Sequence, residues 1–276
     1  MPRLDATRLK DALARAVVRV APSIRERVPP ERAHPLAAPR SFAERLMARA
    51  LHGAAARRRD DHALEGVHEA YWRSGEGAQW HEDVGDRFST IFGPRCTEML
   101  DRVVEVARRP DIVHLCEIGT GRGAALSYLA ERAPGLRTYV GLDLSEARIE
   151  RSREAHRAEP LRFEAARGQD WLRERAEPGI LVVTFGGVLE YFAPDELAAM
   201  FADAATRLRP AAFALFEPIS DDQALDALGS SAPYGVELSF SHPYPAMLQA
   251  AGFQVDFLRE LRLDGLRMVE VIASAT

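Results

Sequence analysis

Residues 113–123 read VHLCEIGTGRG, an apolar run that leads into three glycines at alternate positions. A short apolar run bounded by glycine is typical of a buried strand, and a helical pattern begins directly after it. Glycine adopts backbone conformations that other residues resist, and it lets a ligand approach the backbone closely. The stretch therefore predicts a strand, a glycine-rich turn and a helix. The turn is either a ligand site or, as the alternative, a structural turn.

Short apolar runs and amphipathic segments continue to alternate after this turn, which indicates repeated βα units and a parallel sheet. A loop over residues 218–241 then precedes a helix near 243–251 and two further apolar runs. We predict an α/β fold: a doubly wound, mostly parallel seven-stranded sheet with a C-terminal antiparallel hairpin and an N-terminal helical extension. The predicted strands are 112–118, 137–143, 161–166, 180–185, 211–217, 253–258 and 266–272, and the helices between them are 123–133, 145–157 and 194–208.

The N-terminal part has a different pattern. Apolar residues at three- and four-residue steps predict an amphipathic helix over residues 5–20. Five prolines within residues 21–39 oppose regular helix and predict a linker. Ser41 and Glu44 match a capping box, which predicts that a second helix begins there, and two more helical patterns lie near 62–72 and 91–108. We therefore divide the chain into a helical extension or cap (1–109) and a ligand-binding domain (110–276).

Composition excludes several classes of protein. The longest apolar runs are shorter than the roughly 18 residues that a membrane span needs, and the charged N-terminus does not resemble a secretory signal. A cytoplasmic location is the expectation. Cys96 and Cys116 lack metal-type spacing, the eight histidines form no paired-ligand motif, and no metal site is predicted. Residues 1–60 carry a net charge of +8 and the remainder −13, so the extension has a basic character.

The chemistry of the glycine turn depends on its neighbouring carboxylates. Gly119, Gly121 and Ala124 also satisfy the G-x-G-x-x-A pattern of dinucleotide sites, and Asp143 lies at a suitable distance to bind a ribose. However, Glu117 beside the turn would repel a pyrophosphate, whereas it suits a ligand that carries positive charge. The residues favour a cationic cofactor, and a nicotinamide oxidoreductase stays as an alternative.

These residues resemble the class I S-adenosylmethionine (SAM)-dependent methyltransferases over roughly residues 110–275. The Glu117–Gly123 turn is similar to the first motif of that family, and VGLDLS at 140–145 is similar to the acidic end of its second strand. The resemblance implies SAM as cofactor, with Asp143 on the ribose hydroxyls and Asp170 on the adenine amino group, although a helix-capping role for Asp170 remains the alternative. It implies these cofactor-binding residues: Glu117, Gly119, Thr120, Gly121, Gly123, Asp143, Leu144, Gln169, Asp170, Trp171, Phe185 and Gly186.

Methyl transfer depends largely on positioning of the acceptor, and a hydroxyl acceptor adds a need for a base. The segment FGGVLEY at 185–191 resembles the family segment below the methionine part of SAM, but Leu181 and Tyr191 stand where many relatives have aspartate and histidine. The candidate catalytic residues are His242, Tyr191, Glu190 and His81. We expect an acceptor pocket formed from some of Trp72, Trp80, Phe88, Tyr191, Tyr234 and His242. Core packing is the alternative for the aromatic residues, and a helix-capping or core role is the alternative for His242.

The resulting hypothesis is a methyltransferase that acts on oxygen or nitrogen of a small molecule. The alternatives are a nucleic-acid or protein methyltransferase with a basic arm, which Arg57–Arg59 favour, and a non-catalytic scaffold of the same fold. Because a lone amphipathic helix is marginal in water, we expect the N-terminal helices to dock on the acidic domain of the same chain or of a second subunit. A homodimer through these helices is one such arrangement.

Overall fold

The computed structural model describes residues 28–38, 41–58, 60–157 and 160–276, together with residues 13, 14, 16 and 17. Of the helix predicted over residues 5–20, only those last four residues are described, and they are helical. The rest of that helix and the first part of the predicted linker lie outside the described residues. The same holds for Arg59 of the basic cluster.

A seven-stranded sheet forms the centre of the molecule, in the strand order β3-β2-β1-β4-β5-β9-β8. The first five strands pair in parallel, whereas β9 runs antiparallel between β5 and β8. This arrangement confirms the predicted fold class. Its strands are β1 (His114–Ile118), β2 (Thr138–Asp143), β3 (Leu161–Ala165), β4 (Ile180–Phe185), β5 (Ala211–Ile219), β8 (Gln254–Leu263) and β9 (Leu266–Ala275).

Helices cover both faces of the sheet. Because side chains alternate along a strand, Cys116 and Val182 enter the core on one face, and Leu115 and Leu181 enter the core on the other. The helices are α1 (Phe42–Arg58), α2 (Asp61–Arg73), α3 (Gly75–Val84), α4 (Thr97–Ala107), α5 (Ala124–Arg132), α6 (Glu146–Ala155), α7 (Gly168–Arg175), α8 (Pro194–Arg207) and α9 (Tyr244–Ala251). None of the helices in the described part of the chain has the length and apolar content needed to traverse a bilayer.

The structure departs from the sequence prediction at several elements. Strands β8 and β9 have ten residues each and are longer than predicted. Strand β8 is an edge strand whose exposed positions carry mostly polar residues. The predicted loop 218–241 contains a small hairpin of β6 (Ala232–Tyr234) and β7 (Ser239–Ser241). Helix α3 was not predicted, and residues 88–92 form a π-helical turn before α4.

The N-terminal extension lies against the sheet edge where the parallel strands end. Residues 28–38, inside the predicted linker, contain a 3-10 helix (Pro30–Ala33), and His34 stacks on Tyr71 of α2 with ring centroids 4.1 Å apart. The capping box is confirmed, since Glu44 accepts a hydrogen bond from the Ser41 backbone and Ser41 Oγ accepts one from Glu44 N. Arg167, before α7, donates to Glu69 of α2 at 2.5 Å. Helix α2 is thereby held over the ends of β2 and β3.

Candidate active site

The turn between β1 and α5 carries Gly119, Gly121 and Gly123, all with positive φ angles of 74°, 57° and 76°. A side chain at Gly119 would be strained by this conformation and would place its Cβ 2.5 Å from Val188 Cγ2. Val188 belongs to the loop after β4, so the two loops touch only because position 119 is glycine. This contact forms the floor of a cleft at the carboxyl ends of the strands, where open α/β sheets bind ligands.

Glu117 is the last but one residue of β1 and is almost completely buried. The Thr120 hydroxyl donates a hydrogen bond to Glu117 Oε2 at 2.7 Å. Burial raises the pKa of Glu117 to about 8. A positively charged ligand group nearby would favour the ionised carboxylate.

Asp143 is the last residue of β2, and each of its two carboxylate oxygens accepts a hydrogen bond from a backbone N–H group. Oδ2 accepts a hydrogen bond from Gly121 N at 3.2 Å, and Oδ1 accepts one from Ser145 N at 3.0 Å. The guanidinium of Arg148, on α6, also lies 3.1 Å from Asp143 Oδ2. Arg148 is buried, which lowers its pKa, while the opposite charge of Asp143 acts against that shift. Ribose hydroxyls that bind Asp143 must therefore share this carboxylate with Arg148 or displace the Arg148 guanidinium from it.

Two clefts adjoin at Gly119 and Arg148. The first, which we call the Asp143 cleft, encloses about 680 Å³ of empty space and has apolar walls. Helix α2 covers it with Glu65, Glu69 and Trp72. The second, the Glu117 cleft, encloses about 580 Å³. It lies between the glycine turn and the segment that carries Asp86, Arg87, Phe88 and Phe92.

A third cavity, the Tyr191 pocket, opens between these clefts and encloses about 780 Å³. It shares Gly186 with the Glu117 cleft and Gly187 with the Asp143 cleft. Aromatic side chains form much of its wall, and three acidic residues, Glu190, Glu237 and Asp264, also line it. Its principal side chains are Trp72, Trp80, Phe92, Tyr191, Glu190 and Glu237.

The structure brings most of the proposed cofactor residues together. The two clefts are lined by Glu117, Gly119, Thr120, Gly121, Asp143, Leu144, Gln169, Phe185 and Gly186. Gly123 instead begins α5, and Trp171 packs in the core. Asp170 points away from the cleft and pairs with Arg173 at 2.6 Å and with Arg167 at 3.5 Å. Gln169 takes the cleft-facing place, because adjacent residues of a helix point in different directions.

The four candidate catalytic residues separate in the structure. Glu190 and Tyr191 face the Tyr191 pocket, and Tyr234 donates a hydrogen bond to Glu190 at 3.2 Å. His242 lies outside all three cavities. Its ring nitrogens lie 2.9 Å from Ser231 Oγ and 3.2 Å from the carbonyl oxygen of Phe192, and burial lowers its pKa to about 3. The expectation that His242 lines the acceptor pocket is therefore corrected to a buried packing position. His81 lies on α3, and its side chain is outside the described part of the structure.

Several site residues were missed by sequence reasoning. Arg148, Glu65, Glu69, Arg87 and Glu237 all line a cavity. They come from two helices and two loops that carry no glycine motif. Arg148 could have been found in part, since it lies five residues after Asp143, on the first turn of α6. Nothing in the local sequence around the other four residues points to the site.

The chemistry of the clefts fits SAM. Leu142, Leu144, Ala166 and Val188 supply apolar contacts at one end, where an adenine ring would lie, and Gln169 adds polar groups. Asp143 can accept hydrogen bonds from ribose hydroxyls. The buried Glu117 carboxyl and the glycine turn lie at the other end, where the charged amino-acid part of SAM would be placed. Gly186 and Gly187 leave this path open to the Tyr191 pocket.

Comparisons with known proteins agree with this fold and with SAM as the cofactor. Residues 115–211 match a family model described as a methyltransferase domain. The fold is similar to magnesium protoporphyrin IX methyltransferase from Synechocystis PCC 6803 crystallised with SAM, with a TM-score of 0.56 and 14% identity over 77% of this chain and 97% of that chain. The same enzyme with S-adenosylhomocysteine (SAH) gives a TM-score of 0.54 and 16% identity over 77% and 99%. A sequence search of curated proteins found no match.

Proposed function

We propose that this chain, a SAM-dependent methyltransferase with the class I fold, transfers the methyl group to an oxygen or nitrogen atom of a small molecule. The observation that carries the proposal is the Tyr191 pocket, which adjoins both cofactor clefts through Gly186 and Gly187. An acceptor in this pocket has a direct route to the point where the two clefts meet.

The form of the pocket supports a small acceptor. Its aromatic walls suit a flat or apolar molecule, in line with the general composition of small-molecule sites. Trp72 comes from α2, Leu263 is the last residue of β8, and Leu266 and Met268 lie at the start of β9. The N-terminal cap and the C-terminal hairpin thus close the pocket from two sides. A polymer would have to reach the site past both of them.

The contribution of the protein is mainly positioning and electrostatics. SAM supplies a methyl group that is activated by its sulfonium charge. Asp143 would orient the ribose, and Glu117 would balance the positive charge of the amino-acid end. The Tyr191 pocket holds the acceptor atom close to the methyl group and limits access of water. Alignment of two bound reactants supplies a large part of such a rate enhancement.

Calorimetry with SAM, SAH and NADH tests the cofactor part of the proposal. We expect SAM and SAH to bind. Asp143→Ala should weaken SAH binding by about 1.5 to 3 kcal/mol, the scale of hydrogen bonds to a charged group. Asp170→Ala is the matched control, because Asp170 points away from the cleft, and its SAH affinity should stay within about twofold. Binding of NADH in place of SAM would overturn the assignment, and loss of SAH affinity in Asp170→Ala would return adenine recognition to Asp170.

A further inference from the structure

We propose that the acceptor is an aromatic or apolar molecule that carries a basic amine, which binds as an ammonium between the carboxyl groups of Glu190 and Glu237 and the rings of the Tyr191 pocket. The inference rests on the proposed methyl transfer and names the class of substrate.

Glu190 lies at the junction between the cofactor clefts and the acceptor pocket. Its Oε1 is so close to the backbone of Gly187 that a Cβ at position 187 would lie 2.5 Å from it. Gly187 lines both the Asp143 cleft and the Tyr191 pocket. An amine that contacts this carboxyl group is therefore held beside the place where the methyl group is delivered.

Two tyrosines orient the two carboxyl groups. Tyr234 donates its hydroxyl proton to Glu190 Oε2 at 3.2 Å, and Tyr191 donates to Glu237 Oε2 at 3.0 Å. A carboxylate has several acceptor sites, so these bonds leave capacity for a further donor. Burial raises the pKa of both groups, that of Glu190 to about 8. Ionisation of a buried carboxyl group, Glu190, beside the half-buried Glu237 is costly, and a bound cation would offset that cost.

Besides the carboxyl groups, the aromatic rings of the pocket can bind an ammonium group through cation–π contacts. Trp72 lies with its ring centroid 5.5 Å from that of Trp80 and 5.4 Å from that of Tyr191. The three rings form one continuous wall. The faces of tryptophan and tyrosine attract organic cations, more strongly where water is excluded. The same wall would contact the apolar part of the acceptor.

The charged groups around the pocket favour a cation. Glu190, Glu237 and Asp264 line it, against Arg87 as the cationic side chain among its described lining residues. The guanidinium of Arg87 lies over the Phe92 ring, 4.7 Å from its centroid, and also faces the Glu117 cleft. In that position Arg87 can interact with the carboxylate of the cofactor. The other charged side chains that line the pocket are acidic.

The amine must lose a proton before it reacts. Glu190, in its carboxylate form, accepts a proton from the bound ammonium and leaves the nitrogen lone pair free. The nitrogen attacks the methyl carbon, the new N–C bond forms as the C–S bond breaks, and the electron pair returns to sulfur. Positive charge thus moves from sulfur to nitrogen, and the product is a methylated ammonium with SAH. The proton on Glu190 leaves to solvent, which balances the reaction.

Matched probes test the inference on the full chain saturated with SAH. Tryptamine, tryptophol and indole-3-propionate present the same ring with an ammonium, a hydroxyl and a carboxylate. We expect calorimetry to show that tryptamine binds at least about tenfold more tightly than the other two probes. The reason is that only its ammonium can form an ion pair with the carboxyl groups of this partly desolvated pocket. Glu190→Gln and Glu237→Gln should each remove most of this preference. Glu174→Gln, on the exposed end of α7, removes the same charge outside the pocket and should leave the preference intact.

The outcomes separate this inference from the proposed function. Equal binding of tryptamine and tryptophol, no binding of tryptamine, or a preference that survives in both pocket variants would overturn the amine assignment. Methyl transfer to hydroxyl acceptors alone would do the same while leaving the methyltransferase assignment intact. Failure of the wild-type protein to bind SAH would instead count against the proposed function. SAH affinity and melting temperature of each variant show that its fold is retained.

Discussion

At the scale of single residues, burial shifts the pKa values of several ionisable side chains. Glu117, Glu190 and Glu217 have pKa values raised to between about 7 and about 8 by burial, and His242 has its pKa lowered to about 3. In each case the fold favours the neutral form. The carboxyl groups therefore bind protons more tightly in the folded chain than in the unfolded chain, and the histidine binds its proton less tightly.

The pH dependence of stability follows from these directions. Between pH 6.5 and about 3 the unfolded chain protonates His242 before the folded chain does, so the contribution of His242 to stability falls as pH falls. For the three glutamates the sign is opposite: the folded chain holds more protons between pH 4.5 and about 8, so stability is lost as pH rises. The glutamates thus favour a lower pH and His242 favours a higher pH, so the two effects oppose each other between pH 4.5 and 6.5.

His242→Gln tests the first of these effects. The variant should lose stability at pH 7, because two hydrogen bonds of the imidazole are weakened, at about 1 kcal/mol each. Its stability relative to wild type should then improve by about 3 kcal/mol from pH 7 to pH 4, since no proton uptake by an imidazole remains. Denaturant unfolding at both pH values gives this difference.

The same variant decides whether His242 acts in catalysis. Because both ring nitrogens contact Ser231 and Phe192 and the ring lies outside the acceptor pocket, kcat of His242→Gln should stay within about threefold of wild type. A large fall in kcat at unchanged SAH affinity, with loss of the acidic limb of the pH profile, would show that His242 serves as the base.

At the scale of elements, the loop after β4 is the part that joins all three cavities. Glu217 of β5 holds this loop in place. Its carboxyl group accepts hydrogen bonds from Thr184 Oγ1 at 2.6 Å, Val188 N at 2.9 Å and Leu189 N at 3.1 Å. Helix α8 begins shortly after the loop at Pro194, so the loop is anchored on both sides. Its shape depends on a single buried side chain of a neighbouring strand.

Glu217→Leu should therefore destabilise the protein and weaken cofactor binding together. Two backbone N–H groups would lose their acceptor, which costs about 2 to 4 kcal/mol. SAH affinity should fall as well, because Gly187 and Val188 line the Asp143 cleft. Thr184→Val is the control: it removes one hydroxyl bond and should cost about 1 kcal/mol with little change in SAH affinity. Equal melting temperatures of the two variants would argue against this role of Glu217.

At the scale of the whole molecule, residues 28–38 of the N-terminal extension support the acceptor side of the site through α2. His34 stacks on Tyr71, and Ala37 packs with Tyr71 and Trp72. Trp72 in turn lines the Tyr191 pocket. The parts of the sheet that line the cofactor clefts all follow residue 113. Residues 65–92 of the extension also line the cofactor clefts, so both parts of the chain contribute to the active site.

Deletion of residues 1–40 should accordingly lower the melting temperature and the rate of methyl transfer, or change the oligomeric state, while SAH affinity stays within about threefold. Deletion of residues 1–27 is the matched control, because it keeps the His34–Tyr71 contact. Calorimetry, light scattering and turnover measure these effects. If both truncated forms keep mass, melting behaviour and small-molecule activity but lose RNA affinity at a stated salt concentration, the basic-arm alternative is correct.

Much of the fold was predictable because its signals are local. Apolar runs, glycines and prolines act over a few residues, so the bounds of β2, β4 and α8 differ from the predicted ones by a residue at most. The Glu117–Gly123 turn and Asp143 were recognisable for the same reason. The edge strand β8 was predicted too short, since its exposed polar side chains weaken the apolar pattern on which the prediction relied.

The direction of each side chain and the acceptor pocket required the tertiary structure. Whether Gln169 or Asp170 faces the cofactor cleft depends on how α7 is rotated, and that rotation is set by packing of Trp171 and Leu172 in the core. The Tyr191 pocket joins residues from Trp72 to Met268, which are far apart in the chain. The sequence by itself determined the five parallel strands and the cofactor turn, because short-range patterns specify them. Only the folded chain decided the acceptor site, because contacts between distant segments create it.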